Sequence, residues 1–215
     1  MKILLIDNND SFTNNLEHLL VKEIAGAQVT VISHSDVLTE KNCSGGFASK
    51  SHSLPLYNGS VELAENNFCK TRFDLTSIDG FDLLVISPGP GSPQKYRGYG
   101  ALLNSGKPVL GICLGMQIIN EHFGGRTSRL EGCFHGRTEK IDFEGHHLAV
   151  ARYHSLYCEI VGQGLEIITA NSQNVPMAIA HNERPLLGYQ FHPESFLTED
   201  AGVFIDYALD FFGIS

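Results

Sequence analysis

The stretch Pro108-Val-Leu-Gly-Ile-Cys-Leu-Gly-Met-Gln117 decides the fold. Its first half is a short unbroken apolar run, the pattern of a strand buried on both faces. Its second half opens an amphipathic helix predicted over Leu114–Phe123, which Gly124-Gly125 closes. Strand passes into helix with no linker, and an α/β sheet is the architecture that makes such corners. Cys113 occupies the corner, with Gly111 two residues before it and Gly115 two residues after. A turn this tight has no room for side chains at the flanking positions, and it lifts the corner residue clear of the sheet as a nucleophile elbow. The sulfur then lies at a helix N-terminus, where the dipole and free N–H groups favour thiolate. A free cysteine is otherwise usually a small buried hydrophobe; the two glycines are what set Cys113 apart.

The pattern continues outward. Lys2–Ile6 is a similar apolar run, followed after Asn8-Asn-Asp-Ser11 by a helical stripe at Phe12, Leu16, Leu19, Leu20 and Ile24 that ends at Gly26. With the β-rich run Ala27–Ser33 this makes a βαβ unit. Phe81–Ser87 predicts a further strand leading into Pro88-Gly-Pro-Gly91. Beyond Gly125, β-like stretches recur at 137–143, 147–152, 165–170, 177–181 and 186–191. The last segment reads as a helix with Thr198 as its cap, Glu199 and Asp200 in its first turn, and Val203, Phe204, Tyr207, Ala208 and Phe211 on one face. Between about 36 and 76 the periodicity fails. That stretch is far longer than an ordinary connection and reads as an insertion within a single domain spanning 1–215.

Composition narrows the class of function. A chain of 215 residues, 42% hydrophobic and 18% charged, supports one α/β domain with a sizeable core and excludes disorder as its main state. Fifteen Lys and Arg against twenty-four Asp and Glu leave a formal charge of −9, which argues against a nucleic-acid partner held by phosphate neutralisation. No apolar run approaches the ~18 residues of a membrane span, and the opening run is too short for a signal-peptide core. The expected compartment is the cytoplasm. Five cysteines, at 43, 69, 113, 133 and 158, include no C-x-x-C pair, so neither a disulfide framework nor a zinc site is expected.

A thiolate catalyst needs a base, and Gly188-Tyr-Gln-Phe-His-Pro-Glu-Ser195 offers one at the end of a predicted strand. In extended chain, residues two apart point to the same side, so the Glu194 carboxylate can hold the His192 imidazole. Alone, that tripeptide would pass for a surface turn. Pro88-Gly89-Pro90-Gly91 ends a predicted parallel strand, where open α/β sheets put their ligands. Its glycines let backbone N–H groups approach a ligand closely, as an oxyanion hole requires. Gln117 shares a helix face with Cys113 and is placed to hold an amide substrate, although a solvent-facing glutamine is the ordinary outcome.

The segments Leu4–Thr13, Ile86–Gly91, Gly111–Gln117, His135-Gly136, Ala151-Arg-Tyr-His-Ser-Leu156 and Gly188–Ser195 occur together and in this order. As a set they resemble the triad-type, class I glutamine amidotransferases, and among these the glutaminase subunits of anthranilate synthase and aminodeoxychorismate synthase. The resemblance implies a flavodoxin-like α/β fold, with a central mixed, mostly parallel sheet flanked by helices. It implies a triad of Cys113, His192 and Glu194, and glutamine held by Gly89, Pro90, Gly91, Gln117, Ser155 and Leu156. The oxyanion hole would come from backbone N–H groups of the Gly89–Gly91 loop and of Leu114. The implied chemistry is hydrolysis of L-glutamine through a Cys113 thioester, without metal or organic cofactor, with the ammonia passed to a chorismate-binding synthase subunit. Two other readings share this scaffold: a stand-alone Cys–His–Glu hydrolase of γ-glutamyl or peptide substrates, and an amidotransferase subunit of another pathway. The chain departs from the usual pattern at Asn9 and Asn15, where tyrosines are common, and at Met116, where this branch usually has histidine.

Overall fold

The computed structural model describes residues 1–37, 75–130 and 136–214. The centre of the insertion, with Cys43 and Cys69, lies outside the described residues, as do Cys133 and His135.

The chain opens with β1 (Lys2–Asp7), α1 (Thr13–Glu23), β2 (Gln28–Ser33) and the single turn α2 (His34–Val37). Beyond residue 80 come β3 (Leu83–Ile86), the single turn α3 (Gly100–Leu103), β4 (Val109–Ile112) and α4 (Leu114–His122). The second half adds β5 (Arg126–Arg129), β6 (Arg137–Phe143), β7 (His146–Arg152), β8 (Leu156–Ile160), β9 (Leu165–Ala170), β10 (Pro176–His181), β11 (Leu186–Tyr189) and α5 (Ala201–Phe212). The main sheet runs β2-β1-β3-β4-β11-β10-β9. Neighbours pair in parallel from β2 to β11 and antiparallel from β11 through β10 to β9. β5 pairs with β8, and β6 with β7, as separate two-stranded ribbons.

The apolar runs are continuous because both faces of the central strands are covered. Ile3 and Leu5, Leu83 and Val85, and Leu110 and Ile112 face a core shared with Leu16, Leu20 and Phe204 of α1 and α5. Their alternates Leu4, Ile6, Leu84, Ile86 and Val109 face Leu102, Leu103, Leu114, Ile118 and Ile119 of α3 and α4. The alternation of strand side chains thus feeds two helical layers.

Parallel pairing also brings the strand ends together. β4 and β11 are neighbours with Ile112 opposite Tyr189, so the residues that follow each strand meet at one edge of the sheet. The ends of β1 and β3 lie alongside and are tied to each other. Asn8 N–H donates to Ser87 Oγ at 2.9 Å, Asn8 Nδ2 to Ser87 O at 2.8 Å, and Tyr99 OH to Asn8 Oδ1 at 2.5 Å.

The elbow glycines are required by close backbone contact. A Cβ on Gly115 would stand 2.5 Å from the carbonyl oxygen of Ile86, and one on Gly111 would stand 2.5 Å from the carbonyl carbon of Gly115. Backbone cannot yield as a flexible side chain can. Gly115→Ala should therefore push α4 off β3 and lower stability by about 3 kcal/mol, read as a fall in melting temperature. A melting curve that overlays the wild type would show that the corner has slack.

Two elements differ from expectation. The last helix begins at Ala201, and Thr198 does not cap it; Asp200 precedes the helix in a left-handed conformation with φ of 47°. Thr198 Oγ1 instead donates to His192 O at 2.6 Å and accepts from Ala151 N–H at 3.0 Å, while Glu199 Oε2 accepts from Ala149 N–H at 3.0 Å. These side chains fasten β7 to the turn after β11, and tertiary partners prevail over the local capping preference. The paired strands β5 and β8 are also additional, since Arg126-Thr-Ser-Arg129 holds no apolar residue by which to predict a strand. Among the described residues, no helix is long and apolar enough to cross a membrane.

Candidate active site

Cys113 follows β4 directly and precedes the first residue of α4, with φ of 52° and ψ of −98°. A non-glycine residue rarely adopts a positive φ, and the surrounding packing must impose it. Part of that packing is its own N–H, which donates to Tyr189 O of β11 at 2.6 Å. Three residues beyond Tyr189, His192 is held by its N–H to Ala151 O of β7 at 3.1 Å. Its Nδ1 lies 2.6 Å from Glu194 Oε1, so the spacing of two does place carboxylate and imidazole together. Both side chains are shielded, at 4% exposure for His192 and 0% for Glu194. The imidazole also meets the rings of Phe12 and Tyr153, with centroids at 5.6 and 5.0 Å.

Burial by itself would lower the pKa of His192, but negative charge at Cys113 and at Glu194 outweighs it, and the imidazole is held well above the ordinary histidine value. Cys158, the other described cysteine, is a free thiol with no such setting. It is fully buried, and that burial pushes its thiol far up.

A cavity of about 180 Å³ opens beside Cys113 and His192. Gly89, Pro90, Gly91, Gln117, Ser155 and Leu156 all line it. Leu114 does not; its side chain is buried in the core. Pro90 carries no N–H, so the amide donors of the loop are those of Gly89 and Gly91. Neither these nor the Leu114 N–H reaches an acceptor among the described residues. The loop is braced by Tyr96, whose hydroxyl donates to Pro90 O at 2.8 Å.

Gln117 departs from the solvent-facing norm and from a free substrate clamp. It is buried, and its Nε2 donates to Leu156 O and to Gln190 Oε1, each at 3.1 Å. Its amide hydrogens thus hold the wall of the site, and only its Oε1 remains to accept from a ligand. Asp10, Phe12, Tyr153 and His154 also line the cavity. Phe12 begins the apolar stripe of α1 in the sequence, yet it turns toward His192. Tyr153 lies inside a recognisable segment, but nothing local foretells its contact with the imidazole.

The three departures lie away from the chemistry. Asn9 is exposed with φ of 63°, a conformation asparagine tolerates better than most residues. Asn15 is on the exposed side of α1. Met116 is fully buried with Cys158 and Ile179, and its Cβ would lie 2.8 Å from a Cβ on Gly188. Among the described residues, no cluster of His, Cys, Asp and Glu could hold a metal ion.

A buried cysteine elbow opposed by a carboxylate-held histidine defines a class of acyl-transfer enzyme, and comparison with known proteins says which. The chain belongs to the class-I glutamine amidotransferase family, whose model matches residues 4–209. Over 222 residues it is 32% identical to anthranilate synthase component 2 of Helicobacter pylori, covering 98% of this chain and 97% of that one. It is 33% identical over 212 residues to an aminodeoxychorismate synthase of Streptomyces griseus, covering 93% of this chain and 24% of that longer one. The fold is that of a solved structure from Thermoplasma acidophilum, a candidate subunit of GMP synthase. The two superpose with a TM-score of 0.70 at 17% identity, over 99% of this chain and 94% of the other.

Proposed function

We propose that this chain is the glutaminase subunit of a chorismate-using synthase, anthranilate synthase or aminodeoxychorismate synthase. It would hydrolyse L-glutamine and deliver the ammonia to a chorismate-binding partner subunit. The observation that carries this reading is His192, fixed to Glu194 at 2.6 Å and lining, with Cys113, the same cavity. The names of the relatives supply the pathway, and both belong to chorismate-using synthases.

In this reading the Cys113 sulfur attacks the side-chain carboxamide carbon of glutamine. The Leu114 N–H and an N–H of Gly89 or Gly91 donate to the oxyanion, ready oriented and at no cost of reorganisation. His192 gives its proton to the departing nitrogen, the C–N bond breaks, and ammonia leaves a thioester on Cys113. Water then attacks the thioester carbon as His192 takes its proton, and glutamate is released with the sulfur restored. Glu194 holds the ring throughout. Ser155, Leu156 and Gln117, the last with its Oε1 uncommitted, line the cavity and hold the rest of the substrate. The sequence of steps uses no metal and no organic cofactor, and the free thiols at 113 and 158 suit a reducing compartment such as the cytoplasm.

Ammonia released into bulk water is diluted and protonated, so such a subunit gains by hydrolysing glutamine slowly until its partner docks. The isolated chain should release glutamate and ammonia from glutamine weakly. Addition of the chorismate-binding subunit should raise the rate and yield anthranilate or aminodeoxychorismate, which product analysis distinguishes. Full activity without any partner would instead indicate a stand-alone hydrolase.

A further inference from the structure

Behind the sulfur runs a row of buried polar groups that begins with a residue to which the proposed hydrolysis gives no part. Gln190 follows β11, is 0% exposed and does not line the cavity. Its Nε2 lies 3.6 Å from Cys113 Sγ, and its Oε1 accepts from Gln117 Nε2 at 3.1 Å. The Leu156 carbonyl that also accepts from Gln117 accepts in addition from His154 Nδ1 at 2.8 Å. Arg152 Nε donates to His154 Nε2 at 3.0 Å, and Arg152 is ion-paired with Glu139. With His154 Nε2 accepting from Arg152, Nδ1 is the ring nitrogen that donates to the Leu156 carbonyl. Gln117, His154 and Arg152 are each nearly as buried as Gln190. Polar groups this deep are costly unless hydrogen-bonded, and the bonds of Gln117 to Leu156 O and to Gln190 Oε1 fix the orientation of both amides.

We propose that Gln190 is a positioning residue for the nucleophile: its Nε2–H, aimed by Gln117, donates to Cys113 Sγ and holds the sulfur as an anion directed into the cavity. The direction of the amide follows from its other end, since Oε1 is claimed by a donor and only the NH2 can face the sulfur. A thiol is a weak acceptor, whereas a thiolate accepts strongly, so a fixed N–H there favours the charged, nucleophilic form. The inference rests on Cys113 being the nucleophile, as in the proposed function, and it adds a group that touches neither substrate nor His192.

The test follows alkylation of Cys113 by iodoacetamide across roughly pH 5 to 9 in the intact chain, with mass spectrometry to report the residue modified. Gln190→Met keeps the volume and removes the donor. Alkylation at neutral pH should slow about tenfold, and its rise should move to higher pH. In glutamine hydrolysis kcat should fall about tenfold, by more than any rise in KM, because Gln190 itself does not reach the cavity. Gln190→Glu keeps the shape and the acceptor for Gln117 but sets a carboxylate beside the sulfur; it should slow alkylation at least as much, and it serves if the methionine variant fails to fold. A folded variant with the wild-type pH profile would overturn the proposal, as would a raised KM with an unmoved profile, the mark of a merely structural wall. Alkylation needs no glutamine. A shifted profile in a chain that does not hydrolyse glutamine would therefore support the positioning role while removing the glutaminase reading.

Discussion

Replacing Cys113 with Ala or Ser should abolish the glutamine-dependent reaction of the synthase complex, by at least about 10³-fold, and leave synthesis from added ammonium salt within about twofold. The first effect follows from chemistry. Without the sulfur there is no thioester, and the remaining N–H donors can only bind substrate. The second follows from division of labour, because in the proposed complex the site that consumes ammonia belongs to the partner. Either substitution is small enough for the corner, and the φ of 52° is set by Gly111, Gly115 and the bond to Tyr189 rather than by the side chain. Assaying both reactions on the purified complex decides the matter. Loss of the ammonia-dependent reaction as well would mark Cys113 as structural, and persistence of the glutamine-dependent one would place the nucleophile elsewhere.

Glu194→Gln should lower kcat by about 10² to 10⁴ while changing KM little. The carboxylate does two things for His192: it accepts the Nδ1 proton at 2.6 Å, which fixes ring and tautomer, and it stabilises the charged ring. A carboxamide at 194 is neutral, and it can turn its NH2 toward Nδ1 and hold the wrong tautomer. The same change has a signature in stability. Burial opposes charge on His192, yet Cys113 and Glu194 together raise its pKa well above that of an unfolded histidine. The native state therefore binds this proton more tightly. The resulting stabilisation is present in full below about pH 6.5 and is lost as pH rises through the raised native value. The melting temperature of the wild type should exceed that of the variant most at about pH 6 and the gap should narrow on the alkaline side. A gap that is equal at both ends would mean that Glu194 supports the fold without acting on the imidazolium.

The elbow was legible from sequence because everything it needs is local: an apolar run of strand length, a helical stripe directly after it, and glycines at 111 and 115 where a Cβ would meet backbone. The pairing of His192 with Glu194 was legible for the same kind of reason, since extended chain repeats every two residues. The Gly89–Gly91 loop stood out by composition, and the order of the motifs pointed to the family. That Cys113 and His192 meet is another matter. It depends on β11 entering the sheet beside β4 after six intervening strands, and no local period encodes which parallel strands become neighbours.

Side-chain partners divide along the same line. Thr198 looks like a helix cap and is a tie between His192 O and Ala151 N–H; Gln117 looks free to meet substrate and is turned to Leu156 and Gln190; Phe12 opens a core stripe and covers His192. In each case a polar or aromatic group has several possible partners of similar strength in water, and propensity alone favours the nearest in sequence. Sequence by itself determined the strands of the main sheet, the corner and the residue types at the site, because steric exclusion and hydrophobic periodicity act within a few residues. Only the tertiary structure decided which of these groups face one another, because burial removes water as the alternative partner and so makes the long-range contacts the ones that must be satisfied.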